Sequence, residues 1–393
     1  MIKSYLAEDT LTLANQEPTT NNSQLSPYRA LFPVARKYAY LNHAAVSPMS
    51  QRGLDALARY WEAQSTSGVL SEEKYFPVVG HAREKMARLI GADPSEVGWV
   101  QNTSAAMNLV ANGLDWQPGD NVVTLQGEFP ANVYPWLGLK RLQVETRFVP
   151  LTDGSPAFED ILEAIDERTR LLSVSFVAFS TGVRHDLVAL GQLCRERGIL
   201  FNVDAIQGLG ALQLDVRECE IDFMGAGAHK WLLGPQGVGM LYVKRESLEK
   251  LWPLTASWYS VAGRYDHFNY GQPWVEAASR FEGSTVNVSG LVAFDAILDM
   301  LLEIGSAQIE VRILHLTGRL IEGLQSRGYE ILSSTLPAER SGIVCFRAKG
   351  DPLDLLARAQ AENIIVAVRV GVIRVSPHFY NTEEEIDRVL AML

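Results

Sequence analysis

The feature that most constrains the fold is a series of short apolar segments between about Pro94 and Val243. They alternate with stretches of helical periodicity. Six segments are candidate strands: Val97 to Val100, Asn121 to Leu125, Leu171 to Val177, Ile199 to Asp204, Phe223 to Ala226 and Val238 to Val243. Their apolar character is continuous rather than alternating, which is typical of strands buried on both faces. The pattern predicts an α/β fold with a mainly parallel central sheet covered by helices.

A smaller α+β unit is expected towards the C-terminus. Its candidate helices are Gly290 to Ile304, Val311 to Arg327 and Thr382 to Met392, and its candidate strands are Tyr329 to Leu332, Ile343 to Arg347, Ile364 to Ala367 and Val372 to Val375. We predict a polar, weakly structured extension over residues 1–26 and a large domain over residues 45–286. Residues 27–44 and 287–393 would form the small domain, and a cleft between the two domains would hold a small ligand.

The net charge and the cysteines indicate which binding partners are disfavoured and in which cellular compartment the protein is expected. A net charge of -11 gives no basic field that would attract nucleic acid or an anionic membrane. No apolar run approaches the ~20 residues of a membrane span, and Met1 to Gln16 lacks the basic start and apolar core of a secretory signal. The cysteines, Cys194, Cys219 and Cys345, are widely scattered, which favours reduced, buried thiols and a cytoplasmic location.

Two charged residues stand at or just after the ends of consecutive candidate strands. Asp204 closes one strand, and His229-Lys230 follow the next. A lysine amine can form a Schiff base with the aldehyde of pyridoxal phosphate, and a carboxylate can hold the pyridine nitrogen protonated. The two groups must reach opposite ends of one flat ring, so neighbouring strand ends suit them. Alone, the aspartate could be a helix cap and the lysine a surface residue; together they predict a pyridoxal 5'-phosphate enzyme.

Two loops between these elements could complete a cofactor site. Asn102-Thr103-Ser104-Ala105 follows the first strand and opens a helix, where hydroxyls and free amides commonly hold a phosphate, although a simple N-cap is the alternative. Phe129 lies in the loop after the second strand and could rest against the cofactor ring, although strand-end aromatics are more often core residues.

Arg374 is a candidate ligand for a substrate carboxylate. It stands between Ile373 and Val375 on a late strand, where burial is costly unless the guanidinium is paired. A structural ion pair is the alternative. The Gly283-Ser284-Thr285 turn carries hydroxyls of a kind that is usually structural.

Motifs of other enzyme classes are missing from the sequence. No Gly-x-Gly-x-x-Gly follows a strand, no Walker A spacing occurs, and no Cys/His cluster has metal-ligand spacing. These observations disfavour a dehydrogenase, a nucleotidase or a zinc enzyme, and no metal site is predicted.

Taken in order, these motifs resemble the class V aminotransferase family of fold type I pyridoxal phosphate enzymes, which includes cysteine desulfurases, kynureninase and isopenicillin N epimerase. The resemblance begins at Tyr40-Leu41-Asn42-His43-Ala44-Ala45, passes through Asp204, Gln207 and His229-Lys230, and ends at Arg374 and Tyr380-Asn381. It implies a fold type I transferase with a large pyridoxal phosphate-binding domain and a smaller α+β domain.

The resemblance also implies a role for each matching residue. Lys230 would carry the Schiff base and shuttle the proton, Asp204 would pair with the pyridine nitrogen, and Gln207 would bond the phenolic oxygen. Further positions follow by the same match: Thr103, Ser104, the Ala105 amide and His229 for the phosphate, Phe129 for the ring face, and Arg374 with the Ala45 backbone for the substrate carboxylate. Thr285 would reach the phosphate of a neighbouring subunit, which implies a homodimer with shared active sites.

The departures from the family pattern bear on the reaction. Cysteine desulfurases carry a reactive cysteine on a loop before the strand that matches Val372 to Val375, and this chain has neither the loop nor the cysteine. Phe129 replaces a stacking histidine, Gly227 a serine and Phe179 an asparagine of those relatives. A desulfurase that forms an enzyme persulfide is therefore disfavoured.

The reaction expected is transamination of an α-amino acid. A carbon–sulfur lyase, an amino-acid epimerase and a catalytically silent cofactor-binding protein remain as alternatives, because the first steps of the three reactions are common. The sequence leaves open the substrate, the pathway and the role of the N-terminal extension.

Overall fold

The computed structural model describes residues 22–152 and 154–393. Within them, helices α1 to α12 span Asn22–Arg29, Gln51–Ser67, Glu72–Tyr75, Val78–Ile90, Thr103–Gly113, Tyr134–Leu137, Phe158–Ala164, Leu187–Arg197, Val288–Ile304, Ser306–Ser326, Pro352–Ala361 and Glu383–Met392. Strands β1 to β12 span Ala39–Tyr40, Val97–Val100, Asn121–Leu125, Glu145–Val149, Thr169–Ser175, Leu200–Asp204, Phe223–Gly227, Gly239–Val243, Val344–Phe346, Ile364–Ile365, Ala367–Arg369 and Val372–Val375. The chain is thus an α/β protein, as predicted.

A seven-stranded sheet in the order β2-β8-β7-β6-β5-β3-β4 forms the centre of the molecule. The neighbours from β7 to β4 pair in parallel, whereas β8 is antiparallel to both β7 and β2. Residues 228–238 join β7 to β8 without a helix, and a parallel crossover needs a dozen or more residues. The expected mainly parallel sheet is confirmed, with β8 as its exception.

Burial explains why these segments are strands. Every residue of β3, β7 and β8 is buried, so both faces of the sheet are covered. Helices α2 and α4 pack on the long helix α9, which begins where the Asn287 side chain accepts a hydrogen bond of 2.9 Å from the Gly290 amide. Sandwiching between helices accounts for the continuous apolar runs in the sequence.

Two small sheets lie outside the central one. Strands β11, β12 and β9 form an antiparallel sheet, and β1 pairs with β10 in parallel. The strand expected over 364–367 is divided at Val366 between these two sheets. The strand expected over 329–332 is reduced to a single bridge between Ile331 and Phe346. A bridge from Asn42 to Ser376 continues the pairing of the N-terminal segment with the C-terminal one.

Helix α1 overlaps the end of the N-terminal extension predicted over residues 1–26. It begins at Asn22, and its Leu25 is buried. Arg29 pairs with Glu385 at 2.9 Å, which connects this helix to α12. The rest of the predicted extension, residues 1–21, lies outside the described residues, and the division into two domains stays a prediction. No helix among the described residues is long and apolar enough to cross a membrane.

Candidate active site

A cavity of about 370 Å³ opens at the carboxyl edge of the central sheet. Ends of parallel strands meet at one edge, which is where ligands bind in open α/β sheets. Most of the predicted site residues line this cavity: Ala45, Thr103, Ser104, Phe129, Asp204, Gln207, His229, Lys230 and Arg374. A larger groove of about 990 Å³ runs beside α8 and shares no lining residue with it. We place the site in the smaller cavity because Lys230 and Asp204 line it.

Asp204 is held at the end of β6 with its carboxylate almost completely buried, at 1% exposure. Its Oδ1 accepts a hydrogen bond of 3.0 Å from the Ile206 amide. Burial raises the pKa of Asp204 to about 6, against the lowering effects of that hydrogen bond and of the Lys230 charge. The group is an acid whose ionised form needs a nearby positive partner.

Lys230 lies beyond the end of β7, which is the neighbour of β6. Burial lowers its pKa to about 8; the nearby charges of Arg374 and Arg369 act in the same direction, and Asp204 opposes them. A substantial fraction of the lysine is therefore a neutral amine near pH 8, which is the form that attacks a carbonyl.

Gln207 is fixed by a network that the sequence did not reveal. Its Oε1 accepts a hydrogen bond of 3.0 Å from the Trp231 indole, and its Nε2 donates to the Ala44 carbonyl at 3.1 Å. Trp231 in turn offers its carbonyl to His378 Nε2 at 2.9 Å. The residue after the lysine thereby orients the predicted cofactor ligand.

The predicted phosphate end of the cavity lies at the start of α5. Thr103 is buried, and its Oγ1 accepts a hydrogen bond of 3.0 Å from the Gly227 amide. The Ala105 amide donates to Asn102 Oδ1 at 2.9 Å, so Asn102 is the N-cap of α5. Phosphate binding by this segment stays a prediction. Ala105 itself does not line the cavity, whereas Ser104 does and is exposed.

His229 lies directly against the backbone of Gly227. A Cβ added at Gly227 would stand 3.0 Å from the His229 ring atoms Cε1 and Nδ1, so the glycine leaves the space that the ring needs. Burial lowers the pKa of His229, with the neighbouring Lys230 charge acting in the same direction.

Two aromatic rings form one side of the cavity. Phe129 is 42% exposed, and the Lys230 Nζ lies 5.6 Å from its ring centroid. Phe179 packs edge-on against Phe129 with centroids 5.2 Å apart. An exposed ring that contacts the lysine is suited to cover a planar ligand rather than to fill a core.

Arg374 enters the cavity from β12 and is 2% exposed. Its Nη1 donates to the Phe179 carbonyl at 3.1 Å, and its buried Nε has no partner within residues 22–152 and 154–393. Burial lowers the pKa of Arg374 to about 10. The structural ion pair considered from the sequence is not formed among the described residues, so the guanidinium keeps donors for a ligand.

Arg369 is a cavity residue that the sequence reasoning missed. It lies on β11, and the two-residue turn Val370-Gly371 joins that strand to β12, with both turn residues at positive φ, 50° and 77°. A signal was available, since Arg369 and Arg374 flank a short turn. The connection between β11 and β12 is therefore a tight hairpin turn and not a longer loop.

The cysteines and Thr285 lie away from this cavity. Cys194, Cys219 and Cys345 are free and buried, and burial raises the pKa of Cys345 to about 12 and of Cys219 to about 11. None of the three lines the cavity within the described chain. Thr285 is exposed in the turn before α9 and does not line the cavity of its own subunit.

The comparisons with known proteins agree with this geometry. The sequence matches the aminotransferase class-V family over residues 39–389. The chain belongs to this family. A probable cysteine desulfurase of Methanothermobacter thermautotrophicus is 30% identical, over 90% of this chain and 93% of the relative. An uncharacterized aminotransferase of Bacillus subtilis, YcbU, is also 30% identical, over 91% of this chain and 94% of its own length.

A solved structure supports the fold. C-DES with glycine covalently linked to its pyridoxal phosphate cofactor superposes with a TM-score of 0.85 at 24% identity, covering 92% of this chain and 98% of that chain. The predicted family, fold type I architecture, enzyme class and pyridoxal 5'-phosphate cofactor are confirmed.

The residues around the cavity fit this cofactor. A volume of about 370 Å³ is in the range of small-ligand sites, ~300–1,000 Å³. The cavity offers an amine of lowered pKa, a buried carboxylate and an exposed ring, and the hydroxyls of Thr103 and Ser104 stand at the start of a helix. The assignments of single residues to single cofactor atoms stay predictions.

Proposed function

We propose that the protein is a pyridoxal phosphate-dependent aminotransferase that acts on an α-amino acid. The observation that carries the proposal is the convergence of Lys230, Asp204 and Arg374 on one cavity. When bound, the cofactor supplies an electron-accepting ring that stabilises negative charge on the substrate α-carbon. The chain's residues must therefore bind the carboxylate and move the α-proton.

Each of the three residues has a distinct part in this proposal. Arg374 presents a buried Nε that has no partner among the described residues, and a guanidinium can bind a carboxylate bidentately. Lys230, with a pKa of about 8, can both take and return a proton near neutral pH. Asp204, buried and ionised beside a positive ring nitrogen, would keep that nitrogen protonated.

Transamination is favoured over loss of a side-chain group because it needs only one acid–base residue. Lys230 alone could take the proton from the α-carbon and return it to the cofactor carbon. Phe129 stands where desulfurases carry an acid–base histidine, and it has no proton to give to a leaving group. A carbon–sulfur lyase is the second candidate, because cysteine desulfurases are among the relatives and elimination needs no enzyme thiol. An epimerase would have to deliver the proton to the opposite face of the α-carbon, which calls for a second acid–base group besides Lys230, and neither Phe129 nor Phe179 can supply one.

We also propose a cytoplasmic homodimer. Three free, buried cysteines suit a reducing compartment. The exposed Thr285, outside its own cavity, suits a ligand donated to a second subunit. Mixed dimers of Lys230→Ala and Thr285→Ala subunits would regain one complete site each, so activity should return on mixing. No recovery, when Thr285→Ala alone weakens cofactor binding, would place the threonine in its own subunit's site.

The decisive experiment is a single turnover of the holoenzyme with a panel of amino acids and no amino acceptor. An aminotransferase should yield about one 2-oxo acid per site, release no ammonia, and resume turnover when a 2-oxo acid is added. Lys230→Ala serves as the control and should yield none. Continued release of ammonia with pyruvate would establish a lyase, and exchange of the α-hydrogen with inversion alone would establish an epimerase.

A further inference from the structure

Two arginines project from the same face of the β11–β12 hairpin. Arg369 is paired with Val372 across the hairpin, and Arg374 lies two residues further along β12. Residues directly opposite, and those two positions away along a strand, point to one face of a sheet. The two arginines are therefore diagonal cross-strand neighbours, whose Cα atoms lie roughly 7–8 Å apart. Both line the candidate active site.

Neither guanidinium is neutralised by a described carboxylate. Arg374 donates to the Phe179 carbonyl, and Arg369 donates to the Val368 carbonyl at 3.0 Å. The single acidic residue among the described residues that line the cavity is Asp204, which is buried at the end of the central sheet. Two cations therefore share one face without a protein anion.

Their like charges also act on each other. The Arg369 charge contributes to the lowered pKa of Arg374 and to that of Lys230. Like charges this close are unfavourable unless an anion joins them. The proposed phosphate position, at Thr103 and Ser104, is on α5 and not on the hairpin, so the cofactor would not supply that anion.

We propose that Arg369 is a specificity-determining residue, and that the amino acid this enzyme uses carries an acidic group on its side chain. The inference rests on the proposed function. Arg374 would bind the α-carboxylate, and Arg369, which is exposed at the cavity mouth, would bind the distal oxyanion. A side-chain carboxylate is the group proposed, as in aspartate and glutamate; a sulfonate shares the charge and is separated in the test.

The test compares acidic amino acids with their neutral isosteres on the holoenzyme. Aspartate should exceed asparagine, or glutamate exceed glutamine, by at least about tenfold in kcat/KM, since a charge-assisted hydrogen bond is worth a factor of this order. L-cysteate, which carries a sulfonate in place of the side-chain carboxylate, tests the alternative oxyanion. It should be a poorer substrate than the acidic amino acid that carries a carboxylate. Arg369→Gln should lose most of the acidic preference, and Arg369→Lys should keep part of it.

Arg327 is the matched control. Its guanidinium also donates to a main-chain carbonyl, that of Gly323, and it does not line the cavity. Arg327→Gln should change neither the acidic nor the neutral rates. A larger loss in this variant than in Arg369→Gln would overturn the assignment.

A binding measurement separates this inference from the proposed function. Succinate or glutarate should bind the holoenzyme more tightly than butyrate in calorimetry, and Arg369→Gln should remove the difference, whatever reaction is catalysed. Equal losses for alanine and aspartate in Arg369→Gln would mean that both arginines hold one α-carboxylate, and the proposal would be wrong. Failure of every amino acid to react, with the dicarboxylate preference intact, would instead contradict the aminotransferase.

Discussion

The cavity has two walls that differ in how their polar groups are used. On the wall formed by the central sheet, Asp204 accepts from the Ile206 amide, and Gln207 is bonded through both ends of its amide. On the wall formed by the β11–β12 hairpin, Arg374 has a buried Nε without a partner in the described part of the chain, and Arg369 donates to its neighbour's carbonyl.

The difference indicates which wall faces a permanent ligand and which a transient one. Groups fixed in advance lose little freedom when a ligand binds, which suits a resident cofactor. Donors left unpaired carry a desolvation cost that an incoming anion removes. This contrast supports the proposal that the sheet wall holds the cofactor and the hairpin wall the substrate.

The largest expected effect is on the sheet wall, at Asp204. Asp204→Asn keeps the shape and removes the negative charge that would balance a protonated ring nitrogen. Turnover should fall by roughly 100-fold or more, the range for loss of one preorganised electrostatic group, while the visible absorbance of bound cofactor persists. A nearly normal rate would remove this carboxylate from the mechanism.

The second largest effect is expected on the hairpin wall, at Arg374. Arg374→Ala should raise KM for amino acids by roughly 30-fold, because losing a buried charge-assisted partner costs about 2–5 kcal/mol. Simple amines without a carboxylate should be affected far less, and they are the control substrates. Equal losses on both kinds of substrate would show that the arginine supports the fold instead.

A smaller effect is expected from the electrostatic coupling between the two walls, because the charges of the hairpin arginines lower the pKa of Lys230. A neutral amine attacks the cofactor aldehyde, so the association rate of pyridoxal phosphate with apoprotein should rise with pH up to a midpoint near 8, the lysine's pKa, rather than near 10.5. Removing a neighbouring positive charge in Arg369→Gln should move the midpoint upwards. An unchanged midpoint would mean that the two walls are electrostatically independent.

The smallest effect is expected at residues that do not line the cavity. Combined replacement of Cys194, Cys219 and Cys345 by alanine should leave kcat/KM within about twofold, once thermal unfolding shows that the variant is folded. The cysteines are buried and do not line the cavity, so none of them should accept a sulfur atom from the substrate. A persulfide trapped on any of them during turnover of cysteine would contradict this.

The sequence was more informative about the sheet wall than about the hairpin wall. The position of Asp204 at a strand end could be predicted because a carboxylate that closes an apolar segment is a local pattern. Lys230 follows the next apolar segment and shows the same pattern. The antiparallel direction of β8 is not visible in the strand itself, since Gly239–Val243 is as apolar as the parallel strands. The short connection to β7 is the sequence signal that indicates it.

Residues that act through distant partners were the ones missed. Trp231 looks like an ordinary core residue in the sequence, because its hydrogen-bond partner Gln207 lies far from it along the chain. Arg369 lies on β11, beyond the single strand predicted over 364–367. The division of that segment between two sheets depends on pairing with β1, far away in the chain.

The pairing of the chain's two ends has a consequence for biosynthesis. The Ala44 amide, at the cavity rim, bonds Ser376 Oγ at 3.1 Å, and the Ser376 amide bonds the Leu41 carbonyl at 2.7 Å. During translation, the rim therefore stays incomplete until the segment around Ser376 has left the ribosome. Contacts of such long sequence separation form late and slowly. A nascent chain stalled before Ser376 should lack a finished cofactor pocket, even with Lys230 and Asp204 long since synthesised.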